Sequence, residues 1–270
     1  MVWWCWLVLL AGCTFTARPG VPSDGDVEQL DGLVDAPADA VDDRCFGSGA
    51  FYLCLPAVPA GTFTTTGNMT VITTSCDSAA EQQLVLGGQP VCVIAADTIT
   101  INAAHSIGVV GDLPLVLVAV TSLSIAGTLD VASSRGNTGP NADPADCSRA
   151  GIDGGTSVLG GGGGAGGSFG TPGAVGGVGN STAGTPTPRG TPAPAVPAPV
   201  TKLRGGCPGG RGGEGTTSAA PGPGGGALYL VSRGELRISG LVNASGGGAA
   251  GGLIAKGGGG GGGSGGMIVM

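Results

Sequence analysis

The chain has 270 residues, among them 59 glycines and 19 prolines, with a net charge of −7 and 4% aromatic residues. Nearly all of that acidity lies in one short segment, residues 14–44, so the average misleads; the rest of the chain lacks the basic domain that a binder of phosphate backbones needs. The scarcity of rings excludes a conventional aromatic core, since all three tryptophans (Trp3, Trp4 and Trp6) lie in the first six residues.

The apolar run Trp3 to Leu10 is too short for a bilayer, which needs about 20 residues. It ends in Leu10-Ala11-Gly12-Cys13. These residues resemble the signal peptide and lipobox of bacterial lipoproteins. The resemblance implies cleavage after residue 12, acylation (palmitate among the chains) at Cys13 and anchoring in a membrane. No Lys or Arg precedes the run, a departure from the usual signal peptide. Thr14, where an aspartate would hold a lipoprotein back, resembles sorting to an outer membrane.

Residues 13–44 read as an acidic, disordered tether. Eight of the chain's eighteen acids lie between Asp24 and Asp43 among Gly, Pro and Ala, and such a segment repels itself and buries no core. The alternating carboxylates of Asp24, Asp26 and Glu28 suggest a calcium loop, but the glycine and terminal glutamate of an EF-hand are missing.

Cysteine usage agrees with export. Beyond Cys5 and Cys13 there remain Cys45, Cys54, Cys76, Cys92, Cys147 and Cys207, an even set that an oxidising compartment would pair. Sequence leaves the connectivity open; the nearest-neighbour set Cys45–Cys54, Cys76–Cys92 and Cys147–Cys207 is the expectation. A zinc site is disfavoured by the absence of Cys-x-x-Cys and by a single histidine. No metal or cofactor is expected.

Repetition marks the folded part. PLVLVAVTSLSIAGTLDVASS (114–134) aligns without gaps with ALYLVSRGELRISGLVNASGG (227–247), so that Leu115, Leu117, Leu123, Ile125 and Leu129 match Leu228, Leu230, Leu236, Ile238 and Val242. A weaker copy begins at Pro90, with Val91, Val93, Ile99 and Ile101 in the same slots, and a last one opens at Met267 and is cut off at Met270. Period-two alternation predicts strands. The expected fold is all-β: a short, right-handed parallel β-helix or solenoid with long disordered Gly/Pro-rich insertions. A β-sandwich is the alternative. Residues 45–131 would hold the N-terminal segment and first coils, 132–226 a low-complexity insertion, and 227–270 a further coil, a glycine loop and a truncated strand. The run at 185–200 should be polyproline II and the glycine blocks loops. A rarer reading makes the glycine blocks a bundle of polyglycine II helices.

Lipobox, acidic linker, cysteine-bearing segment, strand repeats and glycine blocks ending GGGGGGGSGGMIVM occur here in one order. That order resembles glycine-rich lipoproteins of myxobacteria and related predatory soil bacteria. The resemblance implies an exported surface or periplasmic protein with no established activity, and a strand at Gly-Gly-Met-Ile-Val that continues into further coils.

Chemistry is sparse. His105, the single histidine, aligns with Leu129 and Val242 and reads as packed rather than catalytic. No Gly-x-Ser-x-Gly elbow accompanies it. Glycine-rich phosphate-loop patterns occur throughout and carry no information here; Lys256 precedes seven glycines without a P-loop Ser or Thr. For a lyase-type β-helix the candidates are Asp97, Asp112, Asp130, Arg233 and Arg237, none recurring as a pair. Lys202, Arg204 and Arg211 cluster around Cys207 without interleaved aromatics, so no nucleic-acid partner is expected. The expected function is a non-enzymatic, lipid-anchored envelope protein with a structural, adhesive or matrix-binding role. Its partners would be the membrane, extracellular polysaccharide or envelope proteins. The alternative is a polysaccharide lyase or hydrolase on a β-helix.

Overall fold

Apolar alternation broken every few residues by Gly, Asn or Pro gives short strands joined by tight turns. The structure, a computed structural model, describes residues 42–76, 80–147, 152–180, 185–213, 218–252 and 256–270. The expected signal peptide, the lipid on Cys13, the Asp24–Glu28 pattern and most of the tether lie outside these residues. Asp42–Met270 makes one compact unit. Its strands are β1 (Cys45–Phe46), β2 (Leu53–Cys54), β3 (Thr62–Thr64), β4 (Met69–Ile72) and β5 (Glu81–Leu86). Then follow β6 (Gln89–Ile101), β7 (Ser106–Val110), β8 (Leu115–Ile125) and β9 (Thr128–Asp130). After a long stretch whose described residues form no strand come β10 (Leu228–Ser232), β11 (Glu235–Ile238), β12 (Leu241–Asn243) and β13 (Ile268–Val269). No α-helix occurs among the described residues, and none of their helices is long and apolar enough to cross a membrane.

The right-handed parallel β-helix is corrected. Among the described residues the strands lie in three separate sheets, and no closed solenoid is shown. β1 and β2 make an antiparallel pair. A seven-stranded sheet runs β13-β10-β8-β6-β3, with β11 also on β8 and β5 antiparallel on β6. A four-stranded parallel sheet runs β12-β9-β7-β4. One core holds the two larger sheets together. Val71, Ile107 and Leu129 from the smaller sheet are clustered with Ile99, Leu117 and Leu123 from the larger. The first halves of β6, β8 and β10 are apolar on both faces. Their other side packs Val93, Val116 and Tyr229 on Phe46, Leu53 and Leu203. Strands covered on both faces read as unbroken apolar runs, which is why PVCVIAA and PLVLVAV lose their alternation. Burial pushes the Tyr229 phenol above its ordinary range.

The gap-free match of the two strong repeats is the register of the sheet: Leu115 lies opposite Leu228, Leu123 opposite Leu236, and Leu129 opposite Val242. The weaker copy is off by one in its first half. Cys92 and Ile94, not Val91 and Val93, oppose Leu115 and Leu117, whereas Ile99 and Ile101 oppose Leu123 and Ile125 as aligned. A register shift between Ala96 and Thr98 absorbs the extra residue. A one-residue slip turns every side chain over, so Ile94 joins the inter-sheet core and Val93 the opposite cluster.

The expected disordered insertions are corrected as well. The glycine-rich segments hydrogen-bond to one another with a period of three residues. Gly161, Gly164 and Gly167 donate to Lys256, Gly259 and Gly262 at 2.7–3.0 Å. Gly258, Gly261 and Ser264 in turn donate to Gly213, Gly210 and Cys207. Gly260, Gly263 and Gly266 donate to Ala250, Gly247 and Ala244. One segment thus bonds three neighbours through successive residues, as a helix of three residues per turn must. Burial repeats likewise: Gly258 and Gly261 are buried, Gly259, Gly262 and Gly265 exposed. This is the bundle of polyglycine II helices. Most of its glycines are required by close approach; a Cβ on Gly210, Gly213 or Gly261 would fall closer than 3.0 Å to a backbone oxygen. The bundle continues the sheet, because Gly225 donates to Ser264 at 2.8 Å just before Leu228 pairs with Ile268.

At the N-terminal edge the Arg44 side chain, and then its backbone N–H, bond the Asp42 carboxylate, lowering its pKa from 3.8 to about 2. A folded value below the unfolded one stabilises above pH 3.8, and that contribution is lost as pH falls toward 2. A carboxyl NMR titration should find the Asp42 midpoint near 2, and Arg44→Ala should return it towards 3.8.

Candidate binding surfaces

In the second halves of the long strands, alternate residues point away from the core. On β3, β6 and β8 these are Thr62 and Thr64, Thr98 and Thr100, Ser122 and Ser124. They are in register: Thr62, Thr98 and Ser122 form one row, and Thr64, Thr100 and Ser124 the other. Between them Phe63, Ile99 and Leu123 face the core. Parallel strands set the rows' members about 4.8 Å apart, and two residues along a strand separate the rows by about 6.6 Å. The β-branched threonines suit a strand, and the Thr62, Thr64, Thr100, Ser122 and Ser124 hydroxyls bond no described group, leaving them for solvent or a ligand. The ladder ends in charge on β11, where Glu235 and Arg237 oppose Ser122 and Ser124. Asp97, at the register shift, accepts a bond from Thr121 at 2.7 Å beside the ladder. The signal was present in the sequence as Thr-x-Thr, Thr-x-Thr and Ser-x-Ser; it went unread because β3 was not recognised as a strand.

The disulfides are Cys45–Cys54, Cys76–Cys92 and Cys147–Cys207. Cys76, Glu81 and Cys92 are the one group of potential metal ligands among the described residues, and with its two sulfurs joined it offers no thiolate. Cys147–Cys207 borders a cleft of about 330 Å³ lined by Ile152, Ser168, the arm Ala193–Pro197, Arg204 and Pro208. The arm is tied down by Val196 donating to the Phe169 carbonyl at 2.8 Å and by Ser168 Oγ donating to Ala193 at 2.6 Å. Arg204 is buried to 8% side-chain exposure, bonds Asp146 at 2.9 Å and lies 5.6 Å from the Phe169 ring centre.

The basic cluster read around Cys207 comes apart. Arg204 is buried, whereas Lys202 and Arg211 are exposed. The lyase candidates are also dispersed. Asp97 lies on the seven-stranded sheet, Asp130 accepts from Asn243 on the four-stranded one, and Asp112 sits in the turn after β7. Arg233 pairs with Asp43 at 3.0 Å and lies over the Phe46 ring, and Arg237 ends the hydroxyl ladder. His105 is held by Thr65, its Nδ1 3.0 Å from both the carbonyl and the hydroxyl oxygen. It precedes β7, and Ile107 takes the place opposite Leu129 that alignment gave to the histidine. Lys256 caps a row of the bundle through its carbonyl.

No protein-family model, curated protein or solved structure matches the chain.

Proposed function

We propose that the protein is a non-enzymatic, lipid-anchored component of the cell envelope. On this reading its parallel sheet presents an ordered hydroxyl face to matrix polysaccharide. The observation that carries the reading is the register of the two Thr/Ser rows, which offers hydrogen-bonding groups at fixed repeats on a stiff surface. A polysaccharide has its own repeat of hydroxyls, and many weak bonds held in one geometry add up without a deep pocket. The three disulfides support an oxidising, extracytoplasmic setting. The dispersal of Asp97, Asp112, Asp130 and the arginines supports binding over cleavage, since acid–base chemistry needs those groups within reach of one substrate. Anchoring through Cys13, residence at an outer membrane and kinship with glycine-rich myxobacterial lipoproteins belong to the same proposal.

The test is co-sedimentation of the solubilised protein with insoluble matrix polysaccharide. Changing Thr62, Thr64, Thr98 and Thr100 together to valine keeps shape and strand preference and removes four hydroxyls. Retention should fall at least about tenfold, at about 1 kcal/mol per hydrogen bond and with the bonds acting jointly. Undiminished retention with an unchanged circular dichroism spectrum would sink the reading. Separately, Cys13→Ser should release the protein from membranes into the soluble fraction.

A further inference from the structure

We infer that the cleft beside Arg204 is a binding site for a carboxylate carried on a compact, partly apolar body, such as a hexuronate unit. This site is distinct from the hydroxyl face and does not depend on it.

The argument begins with a charge in the wrong place. Arg204 has 8% of its side chain exposed, and an ionised group so placed is stable only when its donors are met. A guanidinium has five N–H donors in a planar fork. Here Nη1 makes one charge-assisted bond, to Asp146 at 2.9 Å. Nε reaches the Gly205 carbonyl at 3.5 Å, the outer limit of a bond. Nη2 faces the sulfurs of Cys147 and Cys207, each at 3.3 Å. Disulfide sulfurs are weak acceptors, so Nη2 is spent on the poorest partners. The ring of Phe169 supports the charge from one side without taking a proton donor.

Asp146 does not close the account of this charge either. Its side chain is 61% exposed, so its bond to Arg204 competes with water and is released at little cost. Arg204 lines the cleft of about 330 Å³, and with Asp146 and Lys202 it also lines a smaller recess of about 110 Å³. Lys202 lines only the smaller recess, so the cleft itself pairs one cation with one carboxylate. A ligand's carboxylate would replace the exposed Asp146 as the partner of Arg204. With Nη2 held on the sulfurs, it takes the place of Asp146 at Nη1, where it makes a charge-assisted bond. The remaining walls, Ile152, Pro194, Val196 and Pro208, suit the apolar face of a sugar ring.

The fork is held for this use. The Cys147–Cys207 bridge fixes both sulfurs behind it, and Cys207 is bonded to Ser264 of the glycine bundle through its N–H at 2.8 Å. The proline arm on the far wall is fastened at Ser168 and Phe169. A ligand entering here meets a preformed cleft and displaces only the exposed Asp146.

The experiment is calorimetric titration of the full, oxidised, detergent-solubilised chain. The probes are glucuronate, a short oligomer of glucuronate, glucose and inorganic phosphate. Glucuronate should bind and glucose should not, and Arg204→Lys should weaken glucuronate about tenfold, since a lysine ammonium is a point charge on a flexible stem and lacks the planar guanidinium held between the disulfide and Phe169. Arg204 is buried and its replacement could disturb folding, so Asp146→Asn provides the second arm. It removes the exposed competitor and should tighten glucuronate severalfold. A tighter oligomer than monomer would assign the ligand to a polymer, and equal affinities would assign it to the free sugar acid. Glucose binding as well as glucuronate, phosphate binding better than glucuronate, or Asp146→Asn weakening the acid would each overturn the proposal. The valine variants of the hydroxyl face should leave glucuronate binding unchanged, so the two readings fail separately.

Discussion

Replacing Gly210 by valine should destabilise the protein by about 3 kcal/mol or more, whereas Gly177→Ala should leave it unchanged or slightly more stable. Both glycines belong to the polyglycine bundle, and the difference lies in what their missing side chains would meet. A Cβ on Gly210 would fall on the Ile152 carbonyl group and the Ala165 nitrogen. Those two groups bond each other at 2.8 Å, and Gly210 itself donates to the Ala165 carbonyl at 2.8 Å. Nothing there is a flexible side-chain end. The neighbouring helix would have to move, breaking bonds on two sides at once. Gly177 faces open space, with no atom within 4 Å of its Cβ direction, and its φ is an ordinary one. Alanine there restricts the unfolded chain more than glycine does, which favours folding by about 0.4–1 kcal/mol. Urea unfolding of the two variants decides the matter. Equal, small effects would mean that the bundle does not hold its close approach in solution.

Removing the Cys147–Cys207 bridge, as the double serine variant, should cost about 4 kcal/mol. The bridge spans 60 residues, and the chain-entropy model gives that magnitude for a loop of this length. The figure matters more here than in most proteins. Glycine loses more backbone freedom on folding than any other residue, and it brings no apolar side chain to offset the loss. Several segments of the bundle, from Gly154 to Gly190, lie inside the loop this bridge closes. Hydrogen exchange of the double variant should show protection lost first at Gly163, Gly166 and Gly176. Ile94 and Leu117, in the inter-sheet core, should keep theirs, because they are secured by burial rather than by loop closure. Uniform loss at all five amides would show that bundle and sheets open as one unit.

The strands of the repeat copies were legible from the sequence because period two, β-branching and Gly or Asn corners are local signals, whereas β3 before them was not. Register between the strong repeats was legible too, since Leu115, Leu117 and Leu123 match Leu228, Leu230 and Leu236 without a gap. The one-residue slip in the weaker copy was not. A bulge at Ala96–Thr98 leaves composition unchanged and shows itself only in which face each side chain joins. The site at Arg204 was half legible. The basic residues near Cys207 stood out, but Asp146 lies 58 residues from Arg204, and Phe169 lies between them in sequence.

What the sequence by itself determined is the all-β character, the repeat pairing and a chain dominated by backbone rather than side chains. What only the tertiary structure decided is how that backbone is used. A parallel β-helix, a sandwich and open parallel sheets all need the same period-two pattern, so alternation cannot choose how sheets close. Glycine blocks are equally ambiguous, because an isolated glycine segment has no reason to prefer one conformation. Only when Gly161–Gly167, Gly258–Gly266 and their neighbours lie side by side do their N–H and carbonyl groups find partners at every third residue. Order in this part of the protein is a property of the assembled segments, and no window of sequence contains it.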